Sequence, residues 1–121
     1  MKIAMLGVEN SHADAFGELM KENPELYGDI EVVGIYSDEE DAVKRIIDKG
    51  YATYAASSPD EFVGKVDGVV ITARHGDNHY KYAMPYVKAG IPCFIDKPFC
   101  ANVENAEELA RVAKENGALL C

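Results

Sequence analysis

The sequence predicts an α/β fold: a doubly wound, mainly parallel sheet with helices on both faces. Three observations predict it. Short apolar runs recur along the chain, Ile3-Ala4-Met5-Leu6, Val32-Val33-Gly34-Ile35, Val69-Val70-Ile71 and Cys93-Phe94-Ile95. Each run is near-continuous rather than alternating, which marks strands covered on both faces. Longer amphipathic segments with helix start and stop signals separate the runs, the pattern of a parallel sheet layered between helices.

The elements follow in order. A first strand is expected over 2–7. Asn10 or Ser11 then caps a helix over 11–22 whose buried side is Phe16, Leu19 and Met20. A second strand covers 30–36. Ser37-Asp38-Glu39-Glu40 has capping-box spacing and opens a helix over 38–48, with Ala42, Val43, Ile46 and Ile47 on one apolar face. Gly50 is placed to stop it. A short strand is expected near 52–55. Ser58-Pro59-Asp60-Glu61 repeats the box with proline at the first helical position, predicting a helix over 59–64. A strand over 68–73 leads to a helix over 78–89, capped by Asp77 or Asn78. Pro85 removes a backbone donor from that helix and should kink it. A strand over 92–96 precedes a helix over 103–116, opened by Asn102 and packed through Ala106, Leu109, Ala110 and Ala113. Ala118-Leu119-Leu120-Cys121 reads as a sixth strand.

Composition narrows the function. The chain has 121 residues, room for one ordinary domain, expected to span 1–121. With 21 Asp plus Glu against 12 Lys plus Arg, the net charge of -9 argues against nucleic acid and anionic membrane as partners. No apolar run approaches membrane-spanning length, and no secretory signal is recognised at Met1. Cys93, Cys100 and Cys121 follow no metal or disulfide spacing, so reduced thiols and a cytoplasmic setting are expected.

Right-handed βαβ connections make a doubly wound sheet reverse its strand order once, and ligands bind above the carboxyl ends of the strands at that point. In a 3-2-1-4-5 order three loops border this crevice: Gly7 to His12, Thr72 to His79, and Asp96 to Phe99. All three histidines, His12, His75 and His79, fall in the first two. Arg74, Asp77, Asp96 and Lys97 lie there too. Their concentration marks the crevice as the candidate site, although histidine also suits loops and caps for purely structural reasons.

The first loop departs from a dinucleotide fingerprint. Gly7-Val8-Glu9-Asn10-Ser11-His12 keeps only the first glycine of G-x-G-x-x-G. Glu9 stands where the second glycine lets the backbone touch a pyrophosphate. A carboxylate about 5 Å from one phosphate charge costs ~3 kcal/mol at an effective dielectric of about 20. The helix N-terminus returns roughly 0.3–1 kcal/mol. Glu9 therefore opposes an anion unless it swings out or meets a cation, while Asn10 and Ser11 still offer backbone donors. At the end of the second strand Ser37 takes the usual place of the ribose-binding acid, with Asp38 beside it. Asp38 would favour the free ribose of NAD over the phosphorylated ribose of NADP; helix capping by Ser37 explains the pair equally well. Lys97, on Asp96-Lys97-Pro98-Phe99, is placed to donate a proton or bind an anion, or else is a solvated loop lysine.

The run Val69-Val70-Ile71-Thr72, then His79, then Lys88-Ala89-Gly90-Ile91-Pro92, then Asp96-Lys97-Pro98-Phe99 resembles the N-terminal domain of the Gfo/Idh/MocA oxidoreductases. Asn105-Ala106-Glu107-Glu108-Leu109 and Ala113-Lys114-Glu115-Asn116-Gly117 are similar to the helix that follows in that family, so nearly the whole chain is covered. The resemblance implies a Rossmann-like domain binding NAD or NADP and a partner substrate that is a sugar, polyol or related carbonyl compound. It implies that Lys97 is the catalytic lysine of the family's Glu-Lys-Pro motif, with Asp96 for the glutamate and Pro98 following. It places Thr72, Ala73 and His79 along the crevice, with Ala73 where the family has proline. Glu9 and His12 replace glycine or small residues, and Arg74 to Asn78 is a longer loop than the family's. The resemblance also implies a C-terminal substrate domain beyond this chain, without which catalysis is not expected. The sheet edge near Ala118–Cys121 is expected to pair with another copy, giving a homo-oligomer.

Two other classes fit parts of the sequence. A binding or sensor module on the same fold, with dinucleotide binding lost, accounts for Glu9. A metal or hydrolytic site built from His12, His75, His79 and a carboxylate is opposed by Arg74 and by Gly76, which makes a helix bearing both His75 and His79 doubtful. No metal ligand set is assigned.

Overall fold

A computed structural model describes all 121 residues, Met1–Cys121. The elements are β1 (Lys2–Leu6), α1 (Ser11–Glu22), α2 (Pro24–Tyr27), β2 (Glu31–Tyr36), α3 (Glu40–Asp48), β3 (Gly68–Ile71), α4 (Gly76–Lys88), β4 (Cys93–Ile95) and α5 (Val103–Asn116). The strands form one parallel sheet in the order β2-β1-β3-β4. Single bridges extend it at both edges, Ala55 beside Ile35 and Leu120 beside Cys93. Counting those edges, the order is the expected 3-2-1-4-5 with a sixth segment, and the reversal lies between β1 and β3.

Several elements differ from expectation for identifiable reasons. Residues 52–55 and 118–121 are single bridges rather than strands. Residues 59–64 form turns, not a helix. Glu61 does not cap back onto Ser58; its carboxylate accepts from the Ser57 N–H at 2.9 Å, the Ser57 hydroxyl at 3.1 Å and the Tyr54 hydroxyl. With one fully buried side chain, Phe62, so short a segment has too little apolar contact to offset helix nucleation. α4 starts at Gly76, capped at His75 without a side-chain bond, rather than at Asp77 or Asn78. A Cβ on Gly76 would collide with the Cys100–Ala101 backbone, so the helix start is pressed against that loop. α4 continues through Pro85.

The two faces are filled unequally. The larger core, 18 buried residues, lies mainly between the sheet and α4 and α5, with Tyr82, Tyr86 and Leu109 among its large members. On α5 the buried line is Leu109, Val112 and Ala113, whereas Ala110 is exposed. The smaller core, 7 residues, lies under α1 and α3 and includes Met5, Val8, Ile35 and Ile46. α1 buries Ala13 and Gly17, not the expected Phe16, Leu19 and Met20. Those three side chains instead line an open apolar groove of about 340 Å³ with Ile3, Val70 and Phe94. No element covers the sheet there, so Leu19 stays 44% and Phe94 39% exposed.

α1 is pinned at its N-terminal end from α3. Arg45 Nε meets Asp14 at 3.1 Å, Lys49 Nζ meets it at 2.6 Å, and Arg45 Nη2 donates to Val8 O at 2.8 Å. Burial raises the Asp14 pKa, but the two cations outweigh it and hold the carboxyl below its ordinary value.

Candidate functional site

The crevice is built from backbone upward. Gly7 leaves β1 with φ 74°, and its N–H donates to Tyr36 O at 2.8 Å. A Cβ there would land on the side chain and backbone of Ala73, so only glycine lets the first two loops touch. Asn10 caps α1 by accepting from the His12 N–H at 3.3 Å. The N–H groups of Glu9, Asn10 and Ser11 find no acceptor within the chain. Three consecutive donors above a helix N-terminus suit an anion.

Buried polar ties hold the loops together. Thr72 Oγ1 donates to Gly7 O at 3.0 Å. His79, fully buried, sets Nε2 2.7 Å from Ala73 O and Nδ1 2.5 Å from Pro98 O. The second and third loops are thus joined through one ring. Asp96 follows β4, its N–H donating to Ile71 O at 2.9 Å. Its Oδ2 contacts His12 Nδ1, on α1, so the first and third loops are joined as well. Burial raises the Asp96 pKa, yet His12 and the adjoining Lys97 overcome this and leave the carboxyl below its ordinary value. The His12 side chain is 42% exposed against 13% for Asp96, so the histidine is the solvent-facing member. Lys97 and Pro98 are exposed on the same loop, joined by a cis peptide.

The β2 end is arranged differently. Asp38 accepts from the Tyr36 hydroxyl and, at 3.1 Å, from the Tyr82 hydroxyl. The Tyr36 bond dominates in lowering its pKa. Burial, then Asp38, pushes the Tyr36 hydroxyl up to about 12. Ser37 Oγ instead donates to Glu9 Oε2 at 2.7 Å. Glu9 Oε1 accepts from the Arg74 N–H at 2.9 Å, and Arg74 Nη2 donates to Glu9 O at 3.0 Å. Arg74 Nη1 pairs with Glu39 at 2.9 Å.

The structure therefore brings together Gly7, Glu9, Thr72, Ala73 and Ser37 on one side, and His12, Asp96, His79 and Pro98 on the other. His75 is exposed at the α4 cap, apart from both pairs. The three histidines make three separate sets of contacts, and no group of three His, Cys, Asp or Glu converges as metal ligands. Sequence reasoning missed the partners: Glu39 for Arg74, and Tyr36 and Tyr82 for Asp38. Glu9's need for a cation pointed to Arg74 in the facing loop, but the Glu9 carboxylate takes the Arg74 backbone N–H while the guanidinium pairs with Glu39, which no spacing signalled.

Known proteins share this fold. The profile of the oxidoreductase family, NAD-binding Rossmann fold (GFO_IDH_MocA), matches residues 1–121. The uncharacterized oxidoreductase YhhX of Escherichia coli is 34% identical over 62 residues, which is 50% of this chain and 18% of YhhX. An NAD binding oxidoreductase from Klebsiella pneumoniae superposes with a TM-score of 0.76 at 26% identity, over 100% of this chain and 34% of its own. The WlbA dehydrogenase from Chromobactrium violaceum, solved with NADH and UDP-GlcNAcA, has the same fold, with a TM-score of 0.81 at 19% identity over 99% of this chain and 34% of its own. The chain thus spans about a third of the length of these solved relatives. No helix is long and apolar enough to cross a membrane. On its fold and the family match over residues 1–121, the chain belongs to the Gfo/Idh/MocA oxidoreductase family and carries that family's NAD-binding Rossmann fold.

Proposed function

We propose that this chain is the cofactor-binding domain of an oxidoreductase that exchanges hydride with a sugar, polyol or related carbonyl compound. The observation that carries the reading is the Asp96–His12 pair next to Lys97, at the β4 side of a crevice whose other side ends at Ser37. The residues fit a nicotinamide dinucleotide. The free N–H groups of Glu9, Asn10 and Ser11 suit the pyrophosphate, and Gly7 with Thr72 and Ala73 forms the floor beneath it. When bound, the nicotinamide supplies the hydride-exchanging carbon. Lys97 holds the carbonyl oxygen and gives or takes its proton. Asp96 orients His12 through Nδ1, which leaves Nε2 as a second proton carrier facing solvent.

In this reading residues 1–121 are one domain, and a further domain, as in relatives about three times longer, supplies the substrate wall and excludes water. A sugar-derived substrate is supported by the UDP-GlcNAcA bound to WlbA. NAD is favoured over NADP. The protein works in the cytoplasm as a homo-oligomer, with the edge at Leu120 as the pairing strand. Glu9 supports one other reading, a binding module whose crevice no longer admits a dinucleotide.

Calorimetric titration of the chain with NADH and NADPH at low salt tests the proposal. Saturable binding of either supports it. A folded chain silent to both, in the parent and in Glu9→Gly, refutes it in favour of the binding module.

A further inference from the structure

We propose that the carboxylate that reads the adenosine ribose in this chain is Glu9, contributed by the β1–α1 loop, rather than an acid at the end of β2. The inference rests on the cofactor-domain reading above. The ribose of a dinucleotide in a Rossmann crevice is read by an acid at the β2 end. Here that place is held by Ser37, which has no charge, and the neighbouring Asp38 is turned to the hydroxyls of Tyr36 and Tyr82. Tyr82 belongs to the buried layer on α4, and its hydroxyl ties the exposed Asp38 to that layer's rim.

Glu9 fills the vacancy in charge. Its carboxylate is brought to Ser37 by the hydroxyl at 2.7 Å and fixed from the other side by the Arg74 N–H at 2.9 Å. A carboxylate accepts about four hydrogen bonds, and these two leave about two for a vicinal diol. A 2′-phosphate in the same place meets a fixed negative charge. Arg74 does not cancel it, because its guanidinium is already engaged by Glu9 O at 3.0 Å and by the Glu39 carboxylate at 2.9 Å. The same geometry explains how an acid is tolerated at the second fingerprint position: the side chain is held sideways at the ribose end, while the Glu9 N–H stays available to the pyrophosphate.

The test is calorimetric titration of NADH and NADPH into the parent chain, Glu9→Gln and Asp38→Asn, each checked for folding by circular dichroism. The parent is expected to prefer NADH by at least about tenfold, a difference of about 1.4 kcal/mol. Glu9→Gln is expected to remove most of that preference, mainly by tightening NADPH. Asp38→Asn is expected to leave it within about twofold. Ser37→Ala, which keeps the carboxylate but removes its anchor, should reduce the preference and serves if Glu9→Gln fails to fold. A parent that prefers NADPH, or a preference that follows Asp38 instead of Glu9, overturns the proposal and leaves the cofactor-domain reading standing. So does binding that appears only in Glu9→Gly, because Glu9 is then a plug. Silence from every variant overturns both.

Discussion

Replacing Gly7 by alanine tests whether the floor of the crevice depends on contact between two loops. Two effects add. An L-residue at φ 74° costs about 1–2 kcal/mol in backbone energy. The new methyl also meets Ala73, whose backbone is as close as its side chain, and forcing atoms into a packed site costs about 1–3 kcal/mol. The sum is about 2–5 kcal/mol, a severe loss for a domain of ordinary stability. Gly64→Ala is the control. Gly64 has φ 76°, yet nothing lies within 4 Å of a Cβ placed there, so it reports the backbone effect alone. Urea unfolding followed by circular dichroism should therefore give Gly7→Ala a loss larger than that of Gly64→Ala by about 1–3 kcal/mol. Melting temperatures should separate by roughly 4 °C per kcal/mol at this chain length. Adding Ala73→Gly should restore only part of the difference, since the backbone obstruction remains. Equal losses at the two glycines would show that the loops do not press on each other and that the floor is held some other way.

Other outcomes follow from the ties around the crevice. His79→Leu removes the ring set between the Ala73 and Pro98 carbonyls, one of which accepts its N–H, and should destabilise by about 1–3 kcal/mol in urea unfolding. The Asp96 carboxyl is held below its ordinary value, so its contribution is complete above about pH 4 and disappears as pH falls through the lower folded value. Asp96→Asn should flatten the acid limb of a stability–pH curve. Tyr36 is raised to about 12, so it supports the fold fully below about pH 10 and loses that support as pH rises toward its folded value. Absorbance titration of the tyrosines should find it ionising late, and Asp38→Asn should bring its ionisation down. Asn102→Ala removes the bond accepted from the Asn105 N–H at 2.8 Å and should cost about 1 kcal/mol in thermal unfolding.

The sheet was readable because a parallel strand buried on both faces leaves a run such as Val69-Val70-Ile71 that few other structures need. Its order followed from handedness rather than from any residue. The segments that read poorly were those in which a polar side chain had two uses. Ser58 and Glu61 have the spacing of a cap, but Glu61 turns to Ser57 and Tyr54, and no helix forms. Ser37 has the same spacing ahead of α3; its hydroxyl bonds Glu9 at 2.7 Å and the Glu39 N–H at 3.2 Å, and the helix begins later at Glu40. Spacing cannot distinguish a cap from a long-range partner. Within the crevice the residues were legible and the pairing was not. His12 and Asp96 are 84 positions apart, and only the folded chain brings them into contact. Phe16, Leu19 and Met20 misled in the opposite sense, for helical periodicity identifies an apolar face without revealing whether anything covers it.

The series of contacts from Gly7 O through Thr72, Ala73 and His79 to Pro98 has a mechanical consequence. Each link is short; the Thr72–Gly7 and His79–Ala73 links are buried and the His79–Pro98 link is partly so. Shifting one loop alone would leave a carbonyl or an imidazole nitrogen without a partner, so the three loops behave as a single plate rather than as three flaps. A molecule settling on the plate has little left to freeze there, which lowers the ordering penalty that flexible sites impose. Any hinge that governs entry must accordingly sit outside the plate, and motion at this site is the approach of another body to a fixed surface.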